Sequence, residues 1–152
     1  MSTYTATIRW TRKGEGDFTK GQYSRAHSWE FDGGLTVPAS PSPHIVPAPW
    51  NDPSGVDPEE AFVASLSSCH MLFFVDFARR GGFVVDAYVD EAQGVLEKRA
   101  DGKMAMNRVT LHPDITWGAT HPDEAAIADL HHRAHEACFI ANSVNTEVKI
   151  AS

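Results

Sequence analysis

The stretch Asp57-Pro58-Glu59-Glu60-Ala61-Phe62-Val63-Ala64-Ser65-Leu66-Ser67-Ser68-Cys69-His70-Met71-Leu72-Phe73-Phe74-Val75-Asp76-Phe77-Ala78-Arg79-Arg80-Gly81-Gly82 decides the fold. Asp57 is a good N-cap, Pro58 suits the first helical position, and Glu60 completes an Asp-x-x-Glu capping pattern. Gly81-Gly82 supplies a left-handed stop. The signals predict a helix over roughly residues 58–80, about 35 Å long at 1.5 Å per residue. Phe62, Leu66, Cys69, Phe73 and Phe77 fall on one stripe, while Val63, Met71, Phe74, Val75 and Ala78 carry apolar groups to other faces. A helix apolar on two sides and this long calls for a partner subunit over its second face.

Outward from this helix the texture is that of strands and turns. Residues 3–12 and 22–31 read as two strands joined by the turn-rich Lys13-Gly14-Glu15-Gly16-Asp17, a β-hairpin. Residues 32–57 hold Gly33-Gly34 and prolines 38, 41, 43, 47, 49 and 53, so they read as a connector without an element of its own. Residues 83–91 and 94–99 read as strands, Ala100-Asp101-Gly102-Lys103 as a hairpin turn, and 104–117 as a long strand interrupted at Pro113. His121-Pro122-Asp123-Glu124 opens a second helix running to about Ala137 or Cys138. Val144 to Ile150 closes as a strand. The fold class is α+β, a single domain over residues 1–152.

The chain has 152 residues, 42% of them hydrophobic, with eight Phe and four Trp, enough for one domain with a real core. Its formal charge of -7 lacks the basic field that nonspecific nucleic-acid or anionic-membrane binding needs. The start has no basic region followed by an apolar run, and the apolar stretch Met71 to Ala78 is short and broken by Asp76, so no membrane partner and a cytoplasmic location are expected. No Gly-x-Gly-x-x-Gly, phosphate loop or Ser-centred nucleophile elbow is present, and no cofactor is expected.

The two cysteines, Cys69 and Cys138, admit three readings: a structural disulfide, two inert buried residues, or a redox couple. A reducing compartment disfavours the first. To be a nucleophile, Cys69 needs a neighbouring cation, since mid-helix burial raises a thiol's pKa. Arg25 is the candidate, and an inward arginine needs a carboxylate such as Glu59 or Glu60. Glu59 stands ten residues before Cys69, about 15 Å along the same helix, so it can serve that thiol only from an antiparallel copy in a second subunit. A competing constellation, His131, His135 and Cys138, lies along one helical face with spacing that suits zinc.

Taken together, Tyr23-Ser24-Arg25-Ala26-His27-x-Trp29-x-Phe31-Asp32-Gly33-Gly34, Asp57-Pro58-Glu59-Glu60-x8-Cys69-His70 and Cys138-Phe139-Ile140-Ala141-Asn142-Ser143 resemble the OsmC/Ohr proteins, thiol peroxidases that reduce organic hydroperoxides. The resemblance covers most of the chain. It implies an OsmC-like fold: curved antiparallel sheets around two long central helices in an intertwined homodimer with shared active sites. It further implies Cys69 as peroxidatic thiolate, Cys138 as resolving thiol, and Arg25 with Glu59 as the pair that orients and activates Cys69. Substrate would be an organic hydroperoxide, with walls such as Phe62, Leu66 and Phe139, and an external dithiol, a lipoyl group or another, would be the reductant. The chain lacks the Cys-Pro-Tyr of the stricter branch at its second cysteine, and its Pro-rich connector resembles the looser OsmC-like branch. Two other functions compatible with these residues are a redox-linked or stress-linked binding protein of the same fold and a zinc protein.

Overall fold

Capping chemistry places both helices in a computed structural model that describes residues 1–151. The chain divides into two units, one of residues 1–61 and the other beginning at Phe62.

In the first unit, β1 (Ala6–Arg9), β2 (His27–Phe31) and β3 (Thr36–Ala39) form an antiparallel sheet in the order β1-β2-β3. Ile8 faces Trp29 across the first pair, which is the expected hairpin with shorter strands. Between them, Asp17 caps a short 3-10 turn, and Trp10, Phe18 and Tyr23 cluster, with the Phe18 and Tyr23 rings 4.5 Å apart. The connector expected over 32–57 contains a strand after all. β3 tolerates Pro38 because it is an edge strand, and the Pro38 carbonyl still accepts the Val56 N–H at 3.0 Å.

Helix α1 spans Pro58–Arg80, as expected. Its start is a reciprocal capping box: Glu60 N–H donates to Asp57 Oδ1 at 2.8 Å, and Asp57 N–H donates to Glu60 Oε2 at 3.1 Å. Its end is a Schellman closure, in which Gly82 takes φ +80° and the Gly82 and Phe83 N–H groups donate to the Arg79 and Ala78 carbonyls. By length and composition alone α1 could cross a membrane, which its short Met71–Ala78 run does not suggest.

In the second unit, β4 (Val85–Asp90) pairs with β7 (Pro113–Trp117), while β5 (Gln93–Lys98), β6 (Met104–Leu111) and β8 (Glu147–Ile150) form a second sheet in the order β5-β6-β8. The long strand expected over 104–117 therefore ends at Leu111, and the chain restarts at Pro113 in the other sheet. The last strand is parallel to β6. Helix α2 (Glu124–Ala137) begins one turn later than the His121 opening suggests, because Asp123 is its N-cap, accepting from Ala126 N–H at 2.8 Å.

The buried stripe of α1 is Leu66, His70, Phe74 and Ala78, rotated from the stripe expected through Phe62, Cys69 and Phe73. Phe74 and Ala78 pack with Leu130 and Ala134 of α2, bordered by Tyr88, Ile115 and Trp117. Leu66 packs with Val109 and Leu111, bordered by Phe62, Val63, Val148 and Ile150. Burying a side chain such as Phe74 contributes about 1.5–3 kcal/mol. β5 comes so close to α1 that a Cβ on Gly94 would lie 2.5 Å from both the Val63 and Met106 side chains.

Candidate active site

The rotation of the buried stripe leaves Cys69 on the other face of α1, in the wall of an open pocket of about 520 Å³. Ser65, Leu72, Phe73, Asp76, Phe139 and Ile140 complete most of its lining. Phe73 and Phe139 meet edge to face with ring centroids 5.0 Å apart, joining α1 to the segment after α2. Of the expected walls, Phe139 lines the pocket, whereas Phe62 and Leu66 belong to the core against β6 and β8.

Cys138 forms the C-cap of α2, next in the chain to the pocket-lining Phe139. Both cysteines are free thiols, and the Cys69 side chain lies near enough to that of Cys138 to act on its titration. Their environments differ. Cys69 is partly exposed, while Cys138 is only 1% exposed. Burial, followed by the contact with Cys69, pushes the Cys138 thiol up to about 11, against the pull of the Ala141 N–H that donates to its Sγ at 3.4 Å. The negative end of the α2 dipole disfavours a thiolate there as well. Cys138 therefore stays protonated at neutral pH, and the more open Cys69 is the sulfur a small molecule meets.

Arg25 belongs to the first unit, and it precedes β2 rather than lying within it. Its guanidinium donates to the carbonyls of Gly21 and Tyr23 at 2.8 and 2.7 Å and stacks 3.8 Å from the Tyr23 ring centroid. Carbonyl oxygens and an aromatic face hold this cation, where a carboxylate was expected. Glu60 is committed to the capping box, which leaves Glu59 as the first-turn acid with an uncommitted carboxylate among the described residues.

The zinc arrangement does not form. His131 Nδ1 lies 3.0 Å from His70 Nε2, and the Cys138 Sγ accepts from the Ala141 N–H. Among the described residues no three His, Cys, Asp or Glu side chains converge on a metal position. Leu72 is a residue of this region that sequence reasoning passed over, and Asp76 was noted only as a break in an apolar run. His70 was marked only as part of the Cys69-His70 motif, and its burial could be read only from the four-residue spacing with Leu66, Phe74 and Ala78.

The chain is thus an α+β protein with one free thiol in a pocket wall and a second, buried thiol nearby, and comparison places it. The family model described as OsmC-like protein matches residues 51–152, so the chain belongs to the OsmC-like family. An OsmC-like protein of unknown function from Vibrio cholerae is 49% identical, with 99% of each chain covered and a TM-score of 0.96. The organic hydroperoxide resistance protein OhrB of Bacillus subtilis shares the fold at 24% identity, covering 97% of this chain and 96% of that one, with a TM-score of 0.67. A protein from Legionella pneumophila described as an organic hydroperoxide resistance protein, OsmC, does so at 18% identity, covering 99% and 97%, with a TM-score of 0.70. No curated protein matches the chain.

Proposed function

We propose that this protein is a cytoplasmic thiol peroxidase that reduces organic hydroperoxides. The observation that carries the proposal is the asymmetric thiol pair: an accessible Cys69 in an apolar pocket, and near it a buried Cys138 that holds its proton. The Cys69 thiolate attacks a peroxide oxygen; an S–O bond forms, the O–O bond breaks, and the alkoxide leaves to be protonated to the alcohol. Cys138 then displaces the sulfenic oxygen, forming the Cys69–Cys138 disulfide, while its proton leaves with hydroxide as water. An external dithiol restores both thiols by exchange.

The apolar lining favours alkyl or aryl peroxides over hydrogen peroxide, which gains nothing from Leu72, Phe73 and Phe139. The working unit we propose is a homodimer. Leu72 is 63% and Phe139 70% exposed on the outer side of the pocket, large apolar groups that a second copy would cover. In that dimer Glu59 comes from the partner subunit, and Arg25 and Glu59 are the residues proposed to activate Cys69.

The test is turnover. Reduced protein with a dithiol should consume cumene hydroperoxide faster than hydrogen peroxide, and Cys69→Ser should consume neither. A binding protein of the same fold would leave cumene hydroperoxide untouched.

A further inference from the structure

His70 follows Cys69 in the chain, about 100° around α1, and is buried, with 1% of its surface exposed. Its ring meets that of His131 of α2 edge to edge, nearly coplanar, with planes 10° apart and centroids 5.3 Å apart, and Phe74 lies against the His131 ring, 4.4 Å between centroids. The 3.0 Å approach of His70 Nε2 to His131 Nδ1 requires one hydrogen between them. His70 Nδ1 and His135 Nδ1 are buried without a partner among the described residues. An unpaired ring acceptor is tolerated more readily than an unpaired N–H, which assigns the proton to His70 Nε2 as donor and leaves His131 Nδ1 as acceptor.

Other groups around the pair are committed. From α2, His131 and His135 face His70; from β4, Asp90 faces it. The Asp90 carboxylate accepts from the Ser67 hydroxyl and from the His112 N–H, so both its oxygens are engaged. The Tyr88 hydroxyl, also on β4, has no partner among the described residues. A second proton on His131 Nδ1 would set two N–H groups against each other. One on His70 Nδ1 would bury a charge with no acceptor.

The pair sits one residue after one thiol and seven residues, two turns, before the other. We propose that the His70–His131 hydrogen bond is the positioning contact that holds α2 on α1 in the register that keeps Cys138 within bonding reach of Cys69, and that acid releases it. The inference rests on the Cys69–Cys138 couple of the reading above. It adds a device that makes disulfide formation depend on two neutral histidines outside the pocket.

Diamide, a diazene that takes two thiols to a disulfide and is itself reduced to a hydrazine, tests this without any peroxide. The rate of intramolecular disulfide formation is followed by intact mass in wild type and in His70→Gln/His131→Asn, where an amide N–H faces an amide oxygen and neither group titrates. The slowing that acid causes through thiol chemistry is common to both proteins. The ratio of variant to wild-type rate should therefore be near one at about pH 7 and rise about twofold near pH 4, where half of His70 is charged. His131→Leu should be slower than wild type at both. A ratio that does not change with pH, or a His131→Leu protein as fast as wild type, overturns the proposal.

Ring-nitrogen NMR of the wild-type protein is a second arm that needs no variant to fold. At neutral pH His70 should carry its proton on Nε2 alone, and a Nδ1–H or charged ring would overturn the assignment. Cumene hydroperoxide is assayed alongside. Protein that leaves the peroxide untouched but shows the rising ratio keeps the positioning contact and loses the peroxidase reading; turnover with a flat ratio does the reverse.

Discussion

His70 on α1 and His131 on α2 lie nearly coplanar, edge to edge, and share one hydrogen bond, 3.0 Å between ring nitrogens, in the core. Burial first, then His131 and His135, lower the His70 pKa from 6.5 to about 4, opposed by Asp90.

The sign of the resulting pH dependence is fixed. The unfolded chain binds a proton at His70 below about 6.5 that the folded chain refuses until about 4, so stability is full above that window and falls as pH drops through it. The loss at its end is on the order of 3 kcal/mol. Urea unfolding of wild type and His70→Phe at a series of pH values should show a steeper slope between these limits in wild type, because burial lowers His131 in both proteins. Equal slopes would place the acid sensitivity elsewhere.

The capping box is a local device with a local cost. Asp57→Ala removes the acceptor of the Glu60 N–H and should destabilise by about 1 kcal/mol in urea unfolding, with Asp57→Asn largely restoring it. An unchanged midpoint for Asp57→Ala would mean that the cap contributes nothing.

The two thiols should label unequally. Iodoacetamide added to the native, reduced protein should modify Cys69 and spare Cys138, which is 1% exposed and protonated at neutral pH. Peptide mapping checks it. Cys138 labelled first would reverse the roles assigned to the pair.

Arg25→Ala should slow consumption of cumene hydroperoxide about tenfold or more, because a thiol at its reference pKa is only a few per cent ionised at neutral pH. The melting temperature should change little, since the lost contacts are two local carbonyl bonds and a ring stack. An unchanged rate removes Arg25 from the site.

What the sequence made legible was local chemistry. Asp57, Pro58, Glu60 and Gly82 mark the ends of α1 because caps act within a few residues, and both bounds agree with the structure. Strand β3 was hidden because its stability comes from the β2 edge and from Val56, not from its own Pro-containing sequence. The face of α1 was misread for a similar reason. With apolar groups on several sides, periodicity does not say which stripe meets α2, and only the packing shows that His70 and Phe74 are inside while Cys69 and Phe73 border the pocket. The two cysteines were singled out in advance, but their proximity closes a long separation in sequence that no local signal encodes.

One measurement bears most directly on the proposed chemistry: intact mass and peptide mapping of the reduced protein after a single equivalent of cumene hydroperoxide. The expected product has lost both free thiols and holds one intramolecular Cys69–Cys138 disulfide, while Cys69→Ser is unchanged. Two thiols still free after exposure would contradict it.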